Sequence, residues 1–169
     1  MERLLRVFVG SASAVAVVGL VMMATGQPWL FPSLGPTVML QLEMPHLPQW
    51  SPRNTVIGHG VAVLAGYAML AAWGLRDAPS ALQGGVSATR IAAAAGSLAI
   101  TAVALMLLRC PHPPAGATTL IVSLGLLHTP RHLLTLMASV VVVTSISWIV
   151  NRAMRQPMPL WSHRDEQAL

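Results

Sequence analysis

The chain has 169 residues, of which 54% are hydrophobic and only 9% are charged. A soluble domain carries about 25% charged residues, so this chain has too few charges to cover a water-facing surface. Its ten basic residues are all arginines that stand singly between apolar runs, without the clustered basic face of a nucleic-acid-binding protein. Composition therefore excludes an ordinary soluble fold and predicts a protein whose solvent and first partner is the lipid bilayer.

Four apolar runs reach the length of about 18 residues that a membrane-spanning helix needs. They are Val7–Thr25, Asn54–Leu75, Ile91–Leu108 and Leu133–Val150. Small residues recur in them, as in GSASAVAVVG, and let helices approach closely in lipid. The first run follows two arginines in the manner of a signal peptide, but its length favours a retained helix.

Two shorter segments, Pro28–Leu42 and His112–His128, open with prolines and then become helix-like. Proline is tolerated in the first turn of a helix but not deeper, so each segment predicts a short helix that begins inside or near the membrane. The segments either return to the side where they began or cross the bilayer. These alternatives give four spans and six spans, respectively.

An offset of 81 residues relates the two short segments. FPSLGPTVML and HPPAGATTLI then match at Pro32/Pro113, Gly35/Gly116 and Thr37/Thr118, and the same offset relates the starts of the long runs. The sequence therefore predicts two halves, about residues 7–75 and 88–150 of a transmembrane domain spanning 1–151. Residues 152–169 are predicted to form a cytoplasmic tail, with Trp161 at headgroup depth.

The predicted fold is an all-α membrane protein with four transmembrane helices plus two short re-entrant or half-spanning helices, in two pseudo-repeats. The alternative is six short spans arranged as 3+3 inverted repeats. Either path places seven of the ten arginines on the side of the termini, which predicts that both termini are cytoplasmic. Four spans make a thin bundle, so a homo-oligomer, most simply a dimer, is expected.

Three blocks of this sequence resemble the HPP family of small integral membrane proteins. They are HPPAGATTL at His112–Leu120, PRNTVIGH at Pro52–His59 and PSLGPTVML at Pro32–Leu40, in which Pro36 replaces the small residue usual in the family. The resemblance implies four transmembrane helices and an integral membrane location, in the inner or plasma membrane if the source is bacterial. Because its best-understood members carry nitrite, it also suggests a pathway for a small inorganic anion. The matching motif residues are Pro32, Pro52, Asn54, Gly58, Pro113 and Pro114.

The residues themselves also favour an anion. The apolar runs contain no aspartate or glutamate, which argues against a carboxylate-based cation site. A helix N-terminus offers N–H groups and partial positive charge, so Gly35–Thr37 and Gly116–Thr118 are predicted to face one small anion. Arg53 and Arg109, each at an end of a span, either attract the anion or anchor the helix at the interface.

Two histidines complete the predicted substrate site. His59 lies inside a span, where an ionisable group is costly, and His112 opens the second short segment. Either residue could carry a proton with the solute, or hydrogen-bond a carbonyl group and lock the turn. His128 and His132 are four residues apart but straddle Pro130, so neither a metal site nor a cofactor is predicted.

The leading functional hypothesis is a transporter or channel for a small anion. The alternative is a non-transporting membrane scaffold or sensor module. No enzyme is expected, because the sequence contains no nucleophile elbow, phosphate loop or paired carboxylates.

Overall fold

The computed structural model describes residues 1–160, and within them all regular elements are helical. The predicted tail residues 161–169, with Trp161, lie outside the described residues. The helices are α1 (Glu2–Thr25), α2 (Leu34–Glu43), α3 (Pro52–Ala72), α4 (Ala81–Gly84), α5 (Ala88–Leu107), α6 (Pro114–Ser123) and α7 (Pro130–Ala153), with a 3₁₀ turn at Pro48–Trp50. In this part of the chain, four helices (α1, α3, α5 and α7) are long and apolar enough to cross a membrane, which confirms the four predicted spans.

Hydroxyl side chains fix where three of the long helices begin. Ser51, Ser87 and Thr129 stand directly before α3, α5 and α7, and each accepts a hydrogen bond from a backbone N–H in the first turn. Such caps satisfy N–H groups that have no partner within the helix. Proline occupies the first position of α3 and of α7, where its missing N–H costs nothing.

The two short helices, α2 and α6, have ten residues each. At 1.5 Å per residue, each covers about 15 Å, roughly half of the hydrocarbon thickness. Each is preceded by proline-containing chain without regular structure, at residues 27–33 and 110–113. The short helices are therefore half-spanning elements.

The path of the first short segment follows from the contacts at its end. Arg6 Nε, near the start of α1, donates to Leu42 O at 3.1 Å, and Asn151 Nδ2, near the end of α7, donates to Gln41 O at 2.9 Å. The C-terminus of α2 thus lies at the termini end, the end of the bundle where α1 begins and α7 ends. Since the chain leaves α1 at the opposite end, the segment that contains α2 crosses the bundle.

The second short segment runs in the opposite direction. Cys110 Sγ lies 3.7 Å from Asn54 O, which places the end of α5 beside the start of α3 at the termini end. The C-terminus of α6 lies at the other end, here called the α4 end, where Ala81 N donates to Leu124 O at 2.9 Å. Both short segments therefore connect opposite ends of the bundle instead of returning to the end where they began. This is the chain path of the alternative with six crossing segments.

Helix packing follows the same pattern in both halves of the chain. α3 packs against α5 and α6, α7 packs against α1 and α2, and α3 and α7 pack against each other. Exchanging α1, α2 and α3 with α5, α6 and α7 reproduces this set of neighbours. The pattern favours the predicted repeat, whose test is a superposition of the two halves.

Two buried arginines hold the C-termini of the short helices. Arg6 donates to Leu42 O, and Arg90 NH1 donates to Ser123 O at 3.4 Å, so the two acceptors are 81 residues apart. Both side chains are buried, at 5% and 3% exposure. A cation at a helix C-terminus interacts favourably with the partial negative charge there. These arginines are therefore structural anchors, rather than the simple flanking residues that the sequence indicated.

Arg90→Gln is expected to lower the free energy of unfolding by on the order of 2 kcal/mol, because two carbonyl oxygens lose a charged donor. Arg90 NH2 also donates to Pro79 O at 2.6 Å, so the change frees the α4 loop together with the end of α6. Thermal unfolding in mild detergent measures the effect. Arg76→Gln, at an exposed position nearby, is the matched control. Equal stability of the two variants would contradict the anchoring role.

Candidate functional site

The structure brings four of the predicted site residues into one buried group. Thr37, His59, His112 and Thr118 are each no more than 1% exposed, although they come from three different helices and a connection. Ser33, directly before α2, joins them through a hydrogen bond of 2.6 Å between its Oγ and Thr118 Oγ1. These five residues are called the histidine cluster below.

The imidazole of His59 lies between the two threonines that the predicted repeat pairs. Thr118 Oγ1 is 2.7 Å from Nδ1, and Thr37 Oγ1 is 3.1 Å from Nε2. Thr37 and Thr118 are the residues related by the offset of 81, so the N-terminal turns of α2 and α6 meet across one ring. The position that corresponds to His59 in the second half is Val140, which is buried and apolar.

His112 supports His59 from the termini side. Its Nε2 is 3.2 Å from Nε2 of His59, and its Nδ1 is 3.1 Å from Gln49 O. The ring packs edge-on against Trp50, with 6.1 Å between the ring centroids. Gly58 leaves room for this arrangement, because a Cβ at Gly58 would lie 2.7 Å from His112 Cβ.

The hydrogen bonds of the cluster determine where its protons are when both histidines are neutral. Gln49 O accepts only, so His112 carries its hydrogen on Nδ1 and accepts at Nε2. His59 must then donate from Nε2 and accept at Nδ1, which makes Thr118 the donor to that nitrogen. Thr118 in turn accepts from Ser33, and Thr37 donates to Ser33 O at 2.9 Å. All the hydroxyl and imidazole hydrogens of the cluster are thus engaged.

A line of buried polar side chains connects the histidine cluster to the termini end. Gln41 Nε2 donates to Thr55 Oγ1 at 3.0 Å and to Thr144 Oγ1 at 3.3 Å, and Asn151 binds the backbone of Gln41. Gln41 lies four residues after Thr37 on α2, and Thr55 lies four residues before His59 on α3. Residues four apart share one face of a helix, so both side chains lie on the same helix face as the cluster member. The line therefore runs from Asn151 to His59.

The corresponding positions in the second half are apolar. Gln41, Thr55 and Thr144 correspond by the offset of 81 to Val122, Leu136 and Val63. These three residues are buried members of the hydrophobic core. The two halves thus share a chain path but not the polarity of this layer.

A second polar line leads from the cluster to the α4 end, between α5 and α6. Thr119, next to Thr118, lies 2.9 Å from Thr101 through the two hydroxyl oxygens, and Thr101 donates to Ser97 O at 2.9 Å. Ser97 and Ser123 are also buried, and Arg90 NH1 donates to the backbone oxygen of Ser123 at 3.4 Å. Buried polar groups therefore extend from one end of the bundle to the other through the histidine cluster.

Several buried polar atoms, on these lines or elsewhere in the bundle, have no hydrogen-bond partner among the described residues. They are Gln41 Oε1, Asn54 Nδ2, Asn151 Oδ1, Ser147 Oγ and Ser123 Oγ. A buried polar group without a partner costs about 1–3 kcal/mol. Water or a small polar solute is the expected partner for these atoms.

The predicted N–H donors of the short helices are partly engaged in local turns. The N–H of Gly116 donates to Pro113 O at 3.0 Å, that of Ala115 to His112 O at 3.0 Å, and that of Leu34 to Phe31 O at 3.1 Å. The turns that lead the chain into each helix provide these carbonyl groups. Anion binding by these backbone groups stays a prediction, and it requires the turns to share their N–H groups with the solute.

The two predicted glycines lie away from the histidine cluster. Gly35 and the preceding Pro32 are exposed, and a Cβ at Gly35 would meet no atom within 4 Å. Gly116 borders a cavity of about 540 Å³ between α5 and the start of α6, which Arg109 and His112 also line. Most of its other lining residues are apolar side chains of α5 and of the turn that follows it.

The remaining predicted residues surround the start of α3 and of α6. Pro52 is the first residue of α3, Pro113 precedes α6, and Pro114 is its first residue. Arg53 NH1 donates to Asn54 Oδ1 at 2.9 Å, outside the cluster. Cys110 is buried beside Asn54, and this burial raises the pKa of its thiol, with Arg53 acting in the opposite direction. Cys110 is thus a neutral packing residue.

Ser33, Gln41, Thr55, Thr144 and Asn151 were not predicted from the sequence. A signal was available, because Thr37 and Gln41 on α2, and Thr55 and His59 on α3, are polar pairs four residues apart in apolar helices. A polar stripe at this spacing marks one face of a helix. Within residues 1–160, no group of three or more histidine, cysteine or acidic side chains could hold a metal ion.

Four long apolar helices, two half-spanning helices and a buried polar interior define a polytopic α-helical membrane protein. The model of the HPP transmembrane region matches residues 1–159. The chain therefore belongs to the HPP family, as the three sequence blocks indicated. No curated protein and no solved structure matches the chain.

Proposed function

We propose that this protein transports a small inorganic anion across the membrane, with nitrite as the solute that the family resemblance suggests. The observation that carries the proposal is the line of buried polar groups that runs from end to end through the histidine cluster. Buried polar groups inside a membrane bundle are costly, and they mark solute pathways. A membrane scaffold has no need for them along its whole length.

The chemistry of the line favours an anion over a cation. Its members are amides, hydroxyl groups, imidazoles and, at the α4 end, the guanidinium of Arg90. The acidic residues among residues 1–160 are Glu2, Glu43 and Asp77, which stand at helix ends or in a loop. A cation would meet no carboxylate on the way, whereas an anion would meet hydrogen-bond donors.

The state of the histidine cluster favours a carrier over an open channel. Its side chains are buried and hydrogen-bonded to one another, so a solute can pass only when these bonds open. Transport by rearrangement of two halves around a central site is a common scheme in membrane carriers. The cavity beside His112 is the route of access to the cluster that this proposal assigns.

Orientation and assembly are part of the proposal. Arginines are more frequent at the termini end, which supports cytoplasmic termini. In the proposed homodimer, the exposed apolar side chains of α1 or α5, such as Phe8 and Val103, pack against a second copy of the chain. A monomer in mild detergent that keeps full transport in liposomes would contradict the dimer.

Thr118→Val is expected to reduce anion flux more than tenfold. The change removes the hydroxyl group that joins Ser33 to His59, and each partner then loses a hydrogen bond worth about 1 kcal/mol. The measurement is nitrite uptake into liposomes that contain only this protein, compared with protein-free liposomes. Thr89→Val, at an exposed position at the start of α5, is the matched control.

The same assay decides between transport and the alternative of a scaffold or sensor. Uptake of nitrite or another monovalent anion above the protein-free rate supports the proposal. Folded wild-type protein that moves no anion from a panel of nitrite, nitrate, chloride and formate would contradict it. The proposal also assigns the protein no enzymatic reaction.

A further inference from the structure

The histidine cluster has a definite direction of hydrogen bonding when both rings are neutral. Hydrogens point from Ser33 to Thr118, from Thr118 to His59, from His59 to His112, and from His112 to Gln49 O. The acceptor-only carbonyl at the end of this chain fixes the direction of each bond. No hydrogen of these four side chains is left to bind a solute.

As long as the hydrogen between the two rings stays on His59 Nε2, an added proton has one favourable position in this chain. His112 Nε2 already faces the N–H of His59, so a second hydrogen there would oppose it at 3.2 Å. His59 Nδ1, in contrast, faces a hydroxyl group that can accept as well as donate. When Nδ1 takes the proton, Thr118 turns to accept from it and donates to Ser33 instead.

This reversal frees a hydrogen-bond donor. The Ser33 hydroxyl group no longer donates to Thr118, so its hydrogen becomes available at the N-cap of α2. Protonation of His59 thus creates a positive charge and one spare O–H donor within the same buried cluster. Both are features that an anion needs and that the neutral cluster lacks.

Among residues 1–160, the surroundings of the pair provide no negative partner for the imidazolium. The titratable or charged groups on the elements around it are His112 itself, Cys110, Arg53 and Arg109 toward the termini end, and Glu43 at the last residue of α2. α6 contributes none, and on α5 and α7 such groups stand at the helix ends. A buried charge is costly unless it is paired, so the solute itself is the counter-ion.

We infer that His59 is a proton site and that the protein moves its monovalent anion together with one proton, in an electroneutral symport. This inference rests on the proposed anion transport and adds its coupling ion. The proton comes from the aqueous phase, adds to Nδ1 and leaves from the same atom. No other bond is formed or broken, and the pair of imidazolium and anion carries no net charge.

The first test uses wild-type protein in liposomes with the membrane potential clamped by potassium and valinomycin. The initial rate of nitrite uptake, above the protein-free rate, is expected to rise about tenfold for each unit of decrease in external pH below saturation. It is also expected to be independent of the imposed potential. In weakly buffered detergent, purified protein should take up one proton for each nitrite ion bound.

Variants identify the proton site. His59→Asn, which keeps an acceptor toward Thr118 but cannot be protonated, is expected to flatten the pH dependence of the rate. His46→Asn removes an exposed histidine at the termini end and should keep the wild-type slope. If His59→Asn does not fold, Ser33→Ala serves instead. It removes the hydroxyl group that Thr118 binds and with it the released donor, so the rate should be lower, whereas the pH slope should persist because His59 is intact.

The outcomes separate the inference from the proposed function. Nitrite flux that follows the membrane potential and ignores pH overturns the proton coupling but leaves anion transport in place. A pH slope that persists in folded His59→Asn overturns the assignment of the proton to His59. Absence of anion flux at every pH contradicts the proposed function, and the coupling is then wrong as well.

Discussion

Gly58→Ala is expected to lower the free energy of unfolding by about 1–3 kcal/mol, the usual cost of overpacking a buried contact. The new Cβ would lie 2.7 Å from His112 Cβ and 3.1 Å from the ring atoms Cγ and Cδ2. A Cβ is fixed to the backbone, so His112 cannot avoid this clash by changing its rotamer. The start of α6 must move, and the bond between His112 and His59 is expected to break.

Gly60→Ala is the matched control for this prediction, since it lies on the same helix two residues further on. A Cβ there would meet only Met137 Cε, at 3.8 Å, which is an ordinary contact. Alanine is also the better helix former, so this variant should be no less stable than wild type. Thermal unfolding in mild detergent and nitrite flux in liposomes measure both variants. Gly58→Ala protein with wild-type stability and flux would show that the close contact is not required.

Gly116→Leu is expected to reduce anion flux more than tenfold while the protein stays folded. The leucine side chain would enter the cavity of about 540 Å³ beside His112, which has room for it. The nearest atom to the new Cβ is Leu98 Cδ1 at 3.4 Å, at the end of a flexible side chain. Folding is therefore preserved, whereas the approach to the histidine cluster from the termini end is filled.

Ala117→Leu adds the same side chain at the next position, where the residue is exposed, and it should leave flux unchanged. Initial rates of nitrite uptake and size-exclusion profiles in detergent measure both variants. Normal flux in folded Gly116→Leu protein would show that solute does not approach through this cavity. The half-helix N-terminus of α6 would then also lose its support as a binding element.

The sequence by itself determined the class of protein and the positions of its helices. Runs of uncharged residues between arginines admit only spanning helices, because lipid leaves backbone N–H and C=O groups no partner outside the helix. Prolines at the starts of α3, α6 and α7 have a strong local preference for a first helical turn, which makes these boundaries readable. The HPP block identified the family because it is a contiguous pattern, which can be recognised without any tertiary contact.

The path of the short segments was decided only by tertiary structure. Re-entrant and crossing segments have the same local sequence, and both paths place equal numbers of arginines on the side of the termini. The difference lies in contacts between residues distant in the chain, such as Arg6 with Leu42 and Arg90 with Ser123. No local propensity encodes which end of the bundle receives the end of α2.

The site shows the same division between local pattern and tertiary contact. Thr37, His59, His112 and Thr118 stood out because polar or ionisable residues are costly in lipid and because two of them follow the predicted repeat. Their meeting in one hydrogen-bonded cluster depends on α2 and α6 crossing next to α3, and the proton positions depend on Gln49 O. Sequence could thus name the chemical groups, whereas only the packing of the helices decided which nitrogen faces which partner, because hydrogen-bond geometry is a property of the assembled bundle.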